Sequence, residues 1–250
     1  MKKFISLLIF FFVFFTFSAF GYCDNSSKAA PGKKITPQEM ADKIHWLSQS
    51  AVKIDAGGQA IYIDPYKLKR EDKADIILIT HSHSDHFSIP DISKITTKDT
   101  VFIAPEDCVK DLEEVEKDNV EVMEPGMKKT IGDILIEAVP AYNVVKTKFH
   151  PKANKWMGYI LTINGIRIYH AGDTEKIPEM KDFTCDIAMF PLGQTYTMNS
   201  VKEAAEAAMD VQAKIAIPIH YGLYEGTEAD AQEFKKLLKD KVDVIIKKHE

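Results

Sequence analysis

Three histidines and one aspartate fall within six consecutive residues, in the segment HSHSDH at positions 81–86. The segment directly follows the apolar run ADIILIT, residues 74–80, which has the composition of a buried strand. Polar residues after such a strand lie at its carboxyl end, the edge at which α/β sheets usually place their sites. The chain must therefore build a sheet whose buried strand delivers this cluster to its edge.

The cluster has the chemistry of a metal site. Alternate residues of an extended segment point to the same side, so His81 and His83 can converge on one ion. A tight turn after them can direct Asp85 and His86 to a second point nearby. Imidazole and carboxylate ligands together suit a borderline divalent metal. The competing interpretation is a surface loop rich in histidine by chance, which is hard to reconcile with so many ligand types after one strand.

The first 21 residues have the order of a secretory signal peptide. Lys2 and Lys3 precede an almost wholly apolar run over residues 4–20, and Ala19 and Gly21 supply small residues for cleavage. This pattern predicts cleavage after Gly21 and an exported protein that is secreted, periplasmic or held at the cell envelope.

Two other interpretations of the N-terminus stay open. The apolar run is about as long as the shortest membrane-spanning helix, so an uncleaved anchor is an alternative. A lipid anchor on Cys23 is disfavoured because bulky Tyr22 precedes it. Residues 22–35 are small, polar and basic and predict a linker, which leaves residues 36–250 as one domain.

Composition excludes several classes of protein. The chain of 250 residues is 45% hydrophobic, enough to build a packed core rather than a disordered chain. Its 3 cysteines cannot supply a four-thiolate zinc site. The net charge of −5 and the absence of a basic stripe argue against nucleic-acid binding. We therefore expect a small-molecule substrate as the partner, and the oligomeric state stays open.

Hydrophobic patterning predicts an α+β fold. Short strand-like runs dominate the first half, including residues 51–55 and 60–63, and a further strand is predicted over residues 131–138. Helical spacing is predicted over residues 105–117 and 201–213. Hairpins in the first half and strand–helix alternation in the second predict packed sheets flanked by helices.

Several further motifs follow other predicted strands. They are Asp64-Pro65, His170-Ala171-Gly172-Asp173-Thr174, Pro218-Ile219-His220-Tyr221 and the segment PLGQTYTM at positions 191–198. With the HSHSDH segment, this set resembles the metallo-β-lactamase superfamily from about His45 to Gly222. It is most similar to the branch that includes ascorbate-6-phosphate lactonase and N-acyl-phosphatidylethanolamine phospholipase D.

The resemblance implies a four-layer αββα sandwich of two mixed β-sheets flanked by helices. It also implies a site for two divalent metal ions. In that pattern His81 and His83 bind the first metal, Asp85, His86 and His220 bind the second, and Asp173 bridges both. The identity of the metal, zinc or manganese, is left open by the resemblance.

One position departs from the family pattern. The superfamily usually supplies a third histidine for the first metal just after the strand that ends near Pro140, where this chain reads Pro140-Ala141-Tyr142-Asn143. Either Asn143 or His150 can complete the site, and we favour His150. If neither does so, the protein holds only one metal tightly.

The predicted activity is hydrolysis by a metal-bound hydroxide, on a small ester, lactone or phosphodiester. Asp85 is the candidate acceptor of the nucleophile's hydrogen bond. Tyr196, Thr197 or Tyr142 can hold the oxyanion or the leaving group, and we favour Tyr196. The sequence contains no nucleophile elbow, Walker loop or dinucleotide fingerprint that would favour another chemistry. The alternative function is a non-catalytic metal-binding or partner-binding protein on the same scaffold.

Overall fold

The computed structural model describes residues 35–56, 58–115 and 118–250. The predicted signal peptide and almost all of the predicted linker lie outside these residues. Within the described ranges, no helix combines the length and the apolar character needed to cross a bilayer.

The first sheet has six strands in sequence order. The strands are β1 (Ile44–Ser48), β2 (Ala51–Ala56), β3 (Gln59–Ile63), β4 (Ile76–Leu78), β5 (Val101–Ala104) and β6 (Val120–Val122). The pairs β1–β2 and β2–β3 are antiparallel, whereas β3 to β6 run parallel to one another. The parallel connections carry α2 (Ile89–Ile95) and α3 (Glu106–Leu112), and the short α1 (Pro37–Ala41) precedes the sheet.

The second sheet has seven strands and the same mixture of directions. The strands are β7 (Lys128–Ile131), β8 (Ile134–Pro140), β9 (Met157–Ile163), β10 (Ile166–His170), β11 (Ile187–Pro191), β12 (Ile215–Ile219) and β13 (Asp243–Val244). β7 to β10 form antiparallel hairpins, and β10 to β13 run parallel. The parallel part is connected through α4 (Val201–Asp210) and α5 (Glu228–Leu238).

Alternation along the strands creates four layers. In the first sheet Ile61 and Ile63 belong to the large core shared with the second sheet, whereas Tyr62 belongs to a separate cluster with α2 and α3. Helices α4 and α5 pack on the second sheet through alanines and Phe234. Each large apolar side chain buried in this way contributes roughly 1.5–3 kcal/mol. The predicted α+β sandwich of two mixed sheets flanked by helices is confirmed.

Three predicted elements have different bounds. The helix predicted over residues 201–213 ends at Asp210. The strand predicted over residues 131–138 is interrupted by a hairpin turn, because Gly132 adopts a left-handed conformation (φ 55°) and Ile131 pairs with Ile134. The helix predicted over residues 105–117 ends at Leu112. Glu113 and Glu114 follow it, and acidic side chains oppose the negative end of a helix dipole.

The site lies where several parallel strands end. β3, β4, β8, β10 and β12 are followed respectively by Asp64, the HSHSDH segment, the loop that carries His150, Asp173 and His220. Both sheets thus contribute loops to one edge of the sandwich, and residues far apart in the sequence meet there.

Candidate metal centre

The structure brings all seven predicted metal ligands around one cavity of about 500 Å³. Its floor contains His83, Asp85, His150, Asp173 and His220. The remaining two ligands, His81 and His86, are buried beside them. No local sequence pattern joins these loops, so their convergence is a product of the fold.

The first ligand group consists of His81, His83 and His150. One ligand atom from each lies within 4.8 Å of the other two. His81 and His83 come from the segment after β4, and His150 comes from the loop after β8. We call these three residues the imidazole group, because no carboxylate is among them.

The second ligand group consists of Asp85, His86 and His220. Its ligand atoms also lie within 4.8 Å of one another. Asp85 and His86 end the HSHSDH segment, in which the backbone amide of His86 donates to the carbonyl of His83. This tight turn separates the second pair of ligands from the first, as the sequence predicted. We call these three residues the mixed group.

Asp173 stands between the two groups. Its Oδ2 lies 3.4 Å from His150 Nε2 and 3.9 Å from His81 Nε2. Its Oδ1 lies 3.3 Å from His86 Nε2 and 3.2 Å from His220 Nε2. Each carboxylate oxygen therefore faces a different ligand group, which is the arrangement that a bridging ligand requires.

The turn that presents Asp173 depends on the preceding glycine. Gly172 adopts φ 63°, and a Cβ at this position would lie 3.0 Å from the carbonyl oxygen of Met157. The left-handed conformation and the close backbone approach both favour glycine. The sequence AGDT after β10 thus has a specific role in aiming Asp173 into the site.

The ligand atoms themselves show that the site fits divalent cations. The Nε2 atoms of His81, His86 and His150 and the Oδ1 atom of Asp173 are buried and have no hydrogen-bond partner. Leaving such polar atoms unsatisfied costs about 1–3 kcal/mol each. Because several of them converge, cations held between them would satisfy them together.

Neutral side chains support the imidazole group. The Thr80 hydroxyl lies 2.9 Å from His81 Nδ1, and the Asn143 amide nitrogen lies 3.3 Å from His150 Nδ1. Asn143 also donates to the backbone carbonyl of Tyr196. The structure thus places His150 in the ligand group and Asn143 behind it, the arrangement that we favoured; the assignment of His150 as a ligand stays a prediction.

Carboxylates support the mixed group. His86 Nδ1 lies 2.8 Å from Asp64 Oδ2, and His220 Nδ1 lies 3.1 Å from Glu225 Oε1. Asp64 is fully buried and also accepts from the backbone amide and the hydroxyl of Thr80. A carboxylate behind a ligating imidazole orients the ring and makes its other nitrogen a better ligand.

The two groups differ in the pKa values of their histidines. Burial, together with the neighbouring His86, holds the pKa of His81 well below its ordinary value. Burial and His150 lower the pKa of His83. In the mixed group burial also lowers the pKa values of the histidines, but nearby carboxylates raise them by more. Asp173 and Asp64 hold the pKa of His86 well above its ordinary value, and Asp173 and Glu225 raise that of His220 to about 9.

The pKa of Asp173 is shifted by the same histidines. Burial alone would raise the pKa of this carboxyl, but His220 and His86 hold it well below its usual range. The carboxylate is therefore ionised and available to cations at neutral pH. The electrostatic centre of the site is this buried negative charge, with the imidazoles arranged around it.

Gln49 is a site residue that sequence reasoning missed. Its amide nitrogen donates to Asp85 Oδ2 at 3.1 Å and lies 2.9 Å from His220 Nε2. Its backbone carbonyl accepts from the amide of His220 and from the Trp46 indole. Both Gln49 and His220 adopt left-handed conformations, with φ 40° and 57°. Such strain costs of order 1–3 kcal/mol and typically accompanies functional sites.

Glu225 is a second missed residue and connects two loops. One carboxylate oxygen faces His220, and the other accepts from the backbone amides of Thr195 and Tyr196. A Cβ at Gly193 would overlap the Glu225 side chain at 1.7 Å, so glycine makes room for this carboxylate. Glu225 therefore fixes the loop of the candidate catalytic Tyr196 relative to a metal-ligand histidine.

Tyr196 itself lies at the cavity wall. It lines the cavity, its side chain packs edge-on against Phe149 with ring centroids 4.9 Å apart, and it is 39% exposed. The catalytic role of Tyr196 stays a prediction. Asp85 also lines the cavity, and its side chain is 26% exposed.

Residues 43–220 match the family described as the beta-lactamase superfamily domain. The chain belongs to the metallo-β-lactamase superfamily. A UPF0173 metal-dependent hydrolase of Archaeoglobus fulgidus is 32% identical over 228 residues, an alignment covering 82% of this chain and 96% of that relative. These matches make the chain a metal-dependent hydrolase of the superfamily.

Two solved structures agree with the fold. A Parabacteroides distasonis protein, provisionally named a metal-dependent hydrolase, superposes with a TM-score of 0.74 at 39% identity over 83% of this chain and 93% of its own. Igni18, a metallo hydrolase from Ignicoccus hospitalis, superposes with a TM-score of 0.69 at 22% identity over 83% and 95% of the two chains. The superfamily prediction is confirmed, and the lactonase and phospholipase D branch stays a prediction.

Proposed function

We propose that this metal-dependent hydrolase uses two divalent metal ions, zinc or manganese, to cleave a small ester, lactone or phosphodiester. The observation that carries the proposal is the position of Asp173, whose two oxygens face two separate ligand groups. A side chain placed in this way can serve two cations at once. Imidazole ligands suit zinc, and the carboxylates of the site also suit manganese.

Divalent cations held there would supply a hydroxide nucleophile at neutral pH and polarise the substrate oxygen that gains charge. The protein's own groups then position and move protons. Asp85 faces the cavity and is oriented by the Gln49 amide, so its carboxylate can accept a proton from the attacking water. Burial of Asp173 and the histidines excludes water from the other side of the site.

Tyr196 is the proposed partner for the oxygen of the leaving group or the oxyanion. Glu225 and Asn143 fix its backbone amide and carbonyl, and Phe149 fixes its ring. A phenol held in this way at a cavity wall can donate to a developing negative charge without reorganisation.

The decisive experiment compares metal-loaded wild-type protein with Asp85→Ala on a panel of phosphodiesters together with neutral and anionic lactones and esters. We expect turnover of at least one class by the wild type and its loss in the variant. Asp99→Ala changes an exposed aspartate remote from the ligand set and serves as the matched control. Equal activity of wild type and Asp85→Ala, or no turnover of any class, would contradict the proposal.

Export is a separate part of the proposal. It is supported by Lys2, Lys3 and the apolar run over residues 4–20. N-terminal sequencing of the protein recovered from outside the cytoplasm tests it. A first residue of Tyr22 indicates cleavage of a signal peptide, a first residue of Met1 in a membrane fraction indicates an anchor, and recovery only from the cytoplasm contradicts export.

The alternative of a non-catalytic metal-binding protein rested on the missing histidine near Asn143. His150 offers a ligand atom within 4.8 Å of those of His81 and His83, which supports a complete first ligand group and favours the hydrolase.

A further inference from the structure

One residue of the cavity lining has no part in the proposed chemistry. Tyr224, in the loop between β12 and α5, lines the cavity with Asp85 and His220. Its hydroxyl contacts the hydroxyl of Tyr66, which belongs to the loop between β3 and β4. This contact connects the cavity lining to a loop of the first sheet.

Lys67 places a positive charge on this pair of tyrosines. Its ammonium group lies 5.1 Å from the ring centroid of Tyr224 and 5.3 Å from that of Tyr66. Among the described residues, no carboxylate oxygen lies within 4.0 Å of the Lys67 ammonium nitrogen, so Lys67 forms no ion pair with them. The cation at the mouth therefore has aromatic neighbours and no anionic partner.

The backbone that carries Lys67 is held in place. The amides of Lys67 and Leu68 both donate to the Asp91 carboxylate, at 2.8 and 3.2 Å. Asp91 lies in the first turn of α2, where Ser88 and Lys94 also hold it. Lys67 adopts φ 50°, a conformation that a non-glycine residue adopts at a cost. The Asp91 carboxylate thus fixes the backbone from which the Lys67 side chain extends.

The two phenols at this position have one proton more than their mutual contact uses. Either hydroxyl of the Tyr66–Tyr224 pair can be the donor, and one O–H remains for a further acceptor. The pKa of Tyr224 is lowered by the hydrogen bond with Tyr66 and by the nearby Lys67.

We propose that Lys67 and Tyr224 form an anion-binding subsite at the cavity mouth, which selects substrates that carry a carboxylate or phosphate group remote from the bond that is cleaved. The inference rests on the proposed function, because it names the substrate class of the same cavity. Tyr224 lines the cavity, and the Lys67 ammonium lies over its ring, so a phenol donor and a positive charge stand together and match the acceptor oxygens of such a group. The scissile bond then lies over the ligand groups on the floor.

The test measures binding separately from turnover. The probes are N-phenylsuccinamate, which carries a carboxylate, and N-phenylbutyramide, its neutral analogue; both are amides without a labile ester. Calorimetry with the metal-loaded protein gives their dissociation constants. We expect the wild type to favour the anionic probe by about fivefold, a modest ratio because Lys67 is exposed to solvent. This preference should decrease as ionic strength rises.

Two variants and one control show which residues cause the preference for the anionic probe. Lys67→Ala removes the charge and should bind both probes equally, whereas Tyr224→Phe retains the ring and should lose part of the preference. Lys69→Ala removes an equal charge from the same loop, at an exposed position, and should retain the preference. A wild type without a preference, a preference that survives Lys67→Ala, or failure of both probes to bind would overturn the subsite.

Turnover distinguishes the two proposals. p-Nitrophenyl butyrate and p-nitrophenyl hemisuccinate form a matched neutral and anionic ester pair. If neither these esters nor the wider panel is cleaved while the amide probes show the preference, the proposed function fails and the subsite stands. If both esters are cleaved with a ratio of kcat/KM that Lys67→Ala leaves unchanged, the proposed function stands and the subsite fails.

Discussion

The two ligand groups are similar in size but are supported by different chemistry. In the imidazole group, His81 and His150 contact neutral partners, Thr80 and Asn143, through their Nδ1 atoms. In the mixed group, the corresponding atoms of His86 and His220 face the carboxylates of Asp64 and Glu225. Asp85 adds a third negative charge to the mixed group, and Asp173 is shared between the groups.

The difference predicts unequal affinity for metal. Negative charge behind and among the ligands stabilises a bound cation, and the low dielectric constant of a buried site strengthens the attraction. The mixed group should therefore bind its ion more tightly than the imidazole group. The mixed group would then hold its ion at low metal concentration, whereas the imidazole group would bind an ion only at higher metal concentration.

The largest expected effect comes from removing the shared ligand. Asp173→Asn preserves the shape of the side chain but removes its charge and one of its two carboxylate oxygens. We expect the metal content to fall at both groups and turnover to decrease by more than about 100-fold, above the range typical of groups that only support a ligand. Metal analysis and kcat/KM measure these effects. A variant that retains both ions would show that Asp173 does not bridge them.

The next largest effect should fall on the mixed group alone. Asp64→Asn keeps one acceptor oxygen for the Thr80 amide but replaces the other oxygen, which faces the Thr80 hydroxyl and His86, by an amide donor. We expect the affinity for the tighter ion to decrease by about 10–100-fold, the usual effect of losing a carboxylate behind a ligating histidine. Competition with a chelator of known affinity measures this change, and thermal unfolding controls for damage to the buried Asp64 site. A change confined to the weaker ion would contradict the assignment of the groups.

A smaller effect is expected at the imidazole group. Asn143→Ala removes an amide that contacts His150 Nδ1 and the backbone carbonyl of Tyr196. Because the partner is neutral, we expect the affinity for the weaker ion to decrease by only about tenfold, near the lower end for such supporting groups. The same chelator competition measures it. An equal loss at both positions would remove the distinction between the groups.

The smallest effect is expected from the residue that joins Asp85 to His220. Gln49→Glu places a carboxylate beside Asp85, where like charges disfavour one another. A proton held between the new carboxylate and Asp85 is lost only at higher pH, because its loss brings two negative charges together. We therefore expect this substitution to raise the pH at which turnover reaches half its maximum. Gln49→Ala, which only removes the amide, is the matched control. A pH profile that is identical in both variants and the wild type would show that Gln49 does not influence Asp85.

The sequence predicted the part of the site that is contiguous along the chain. His81 to His86 could be interpreted because the ligands follow one apolar strand and alternate in direction. Asp173 and His220 were identified through their resemblance to family motifs, since no local pattern brings them to the cluster. His150 could only be preferred over Asn143, because a loop of several residues separates it from the end of β8.

The roles of the residues that the sequence did not reveal depend on contacts formed only in the tertiary structure. Asp64 was noted only as part of a motif, and its role requires knowing that its carboxylate reaches His86. Gln49 and Glu225 belong to turns with no periodic pattern, and they act across loops from different sheets. The fold was predicted at the level of layers and most strands. The strand over residues 131–138 was wrongly predicted to be continuous, because the apolar residues on both sides of the turn at Gly132 were interpreted as one run.

The most direct test of the account is a chelator titration of the metal-loaded wild-type protein, with the bound metal measured at each step. We predict two ions per chain that are lost in two separate steps, and we predict that Asp64→Asn weakens the more tightly held ion while Asn143→Ala weakens the other. A single bound ion, or two ions that leave together and respond equally to both substitutions, would contradict the central claim that Asp173 joins two ligand groups of unequal strength.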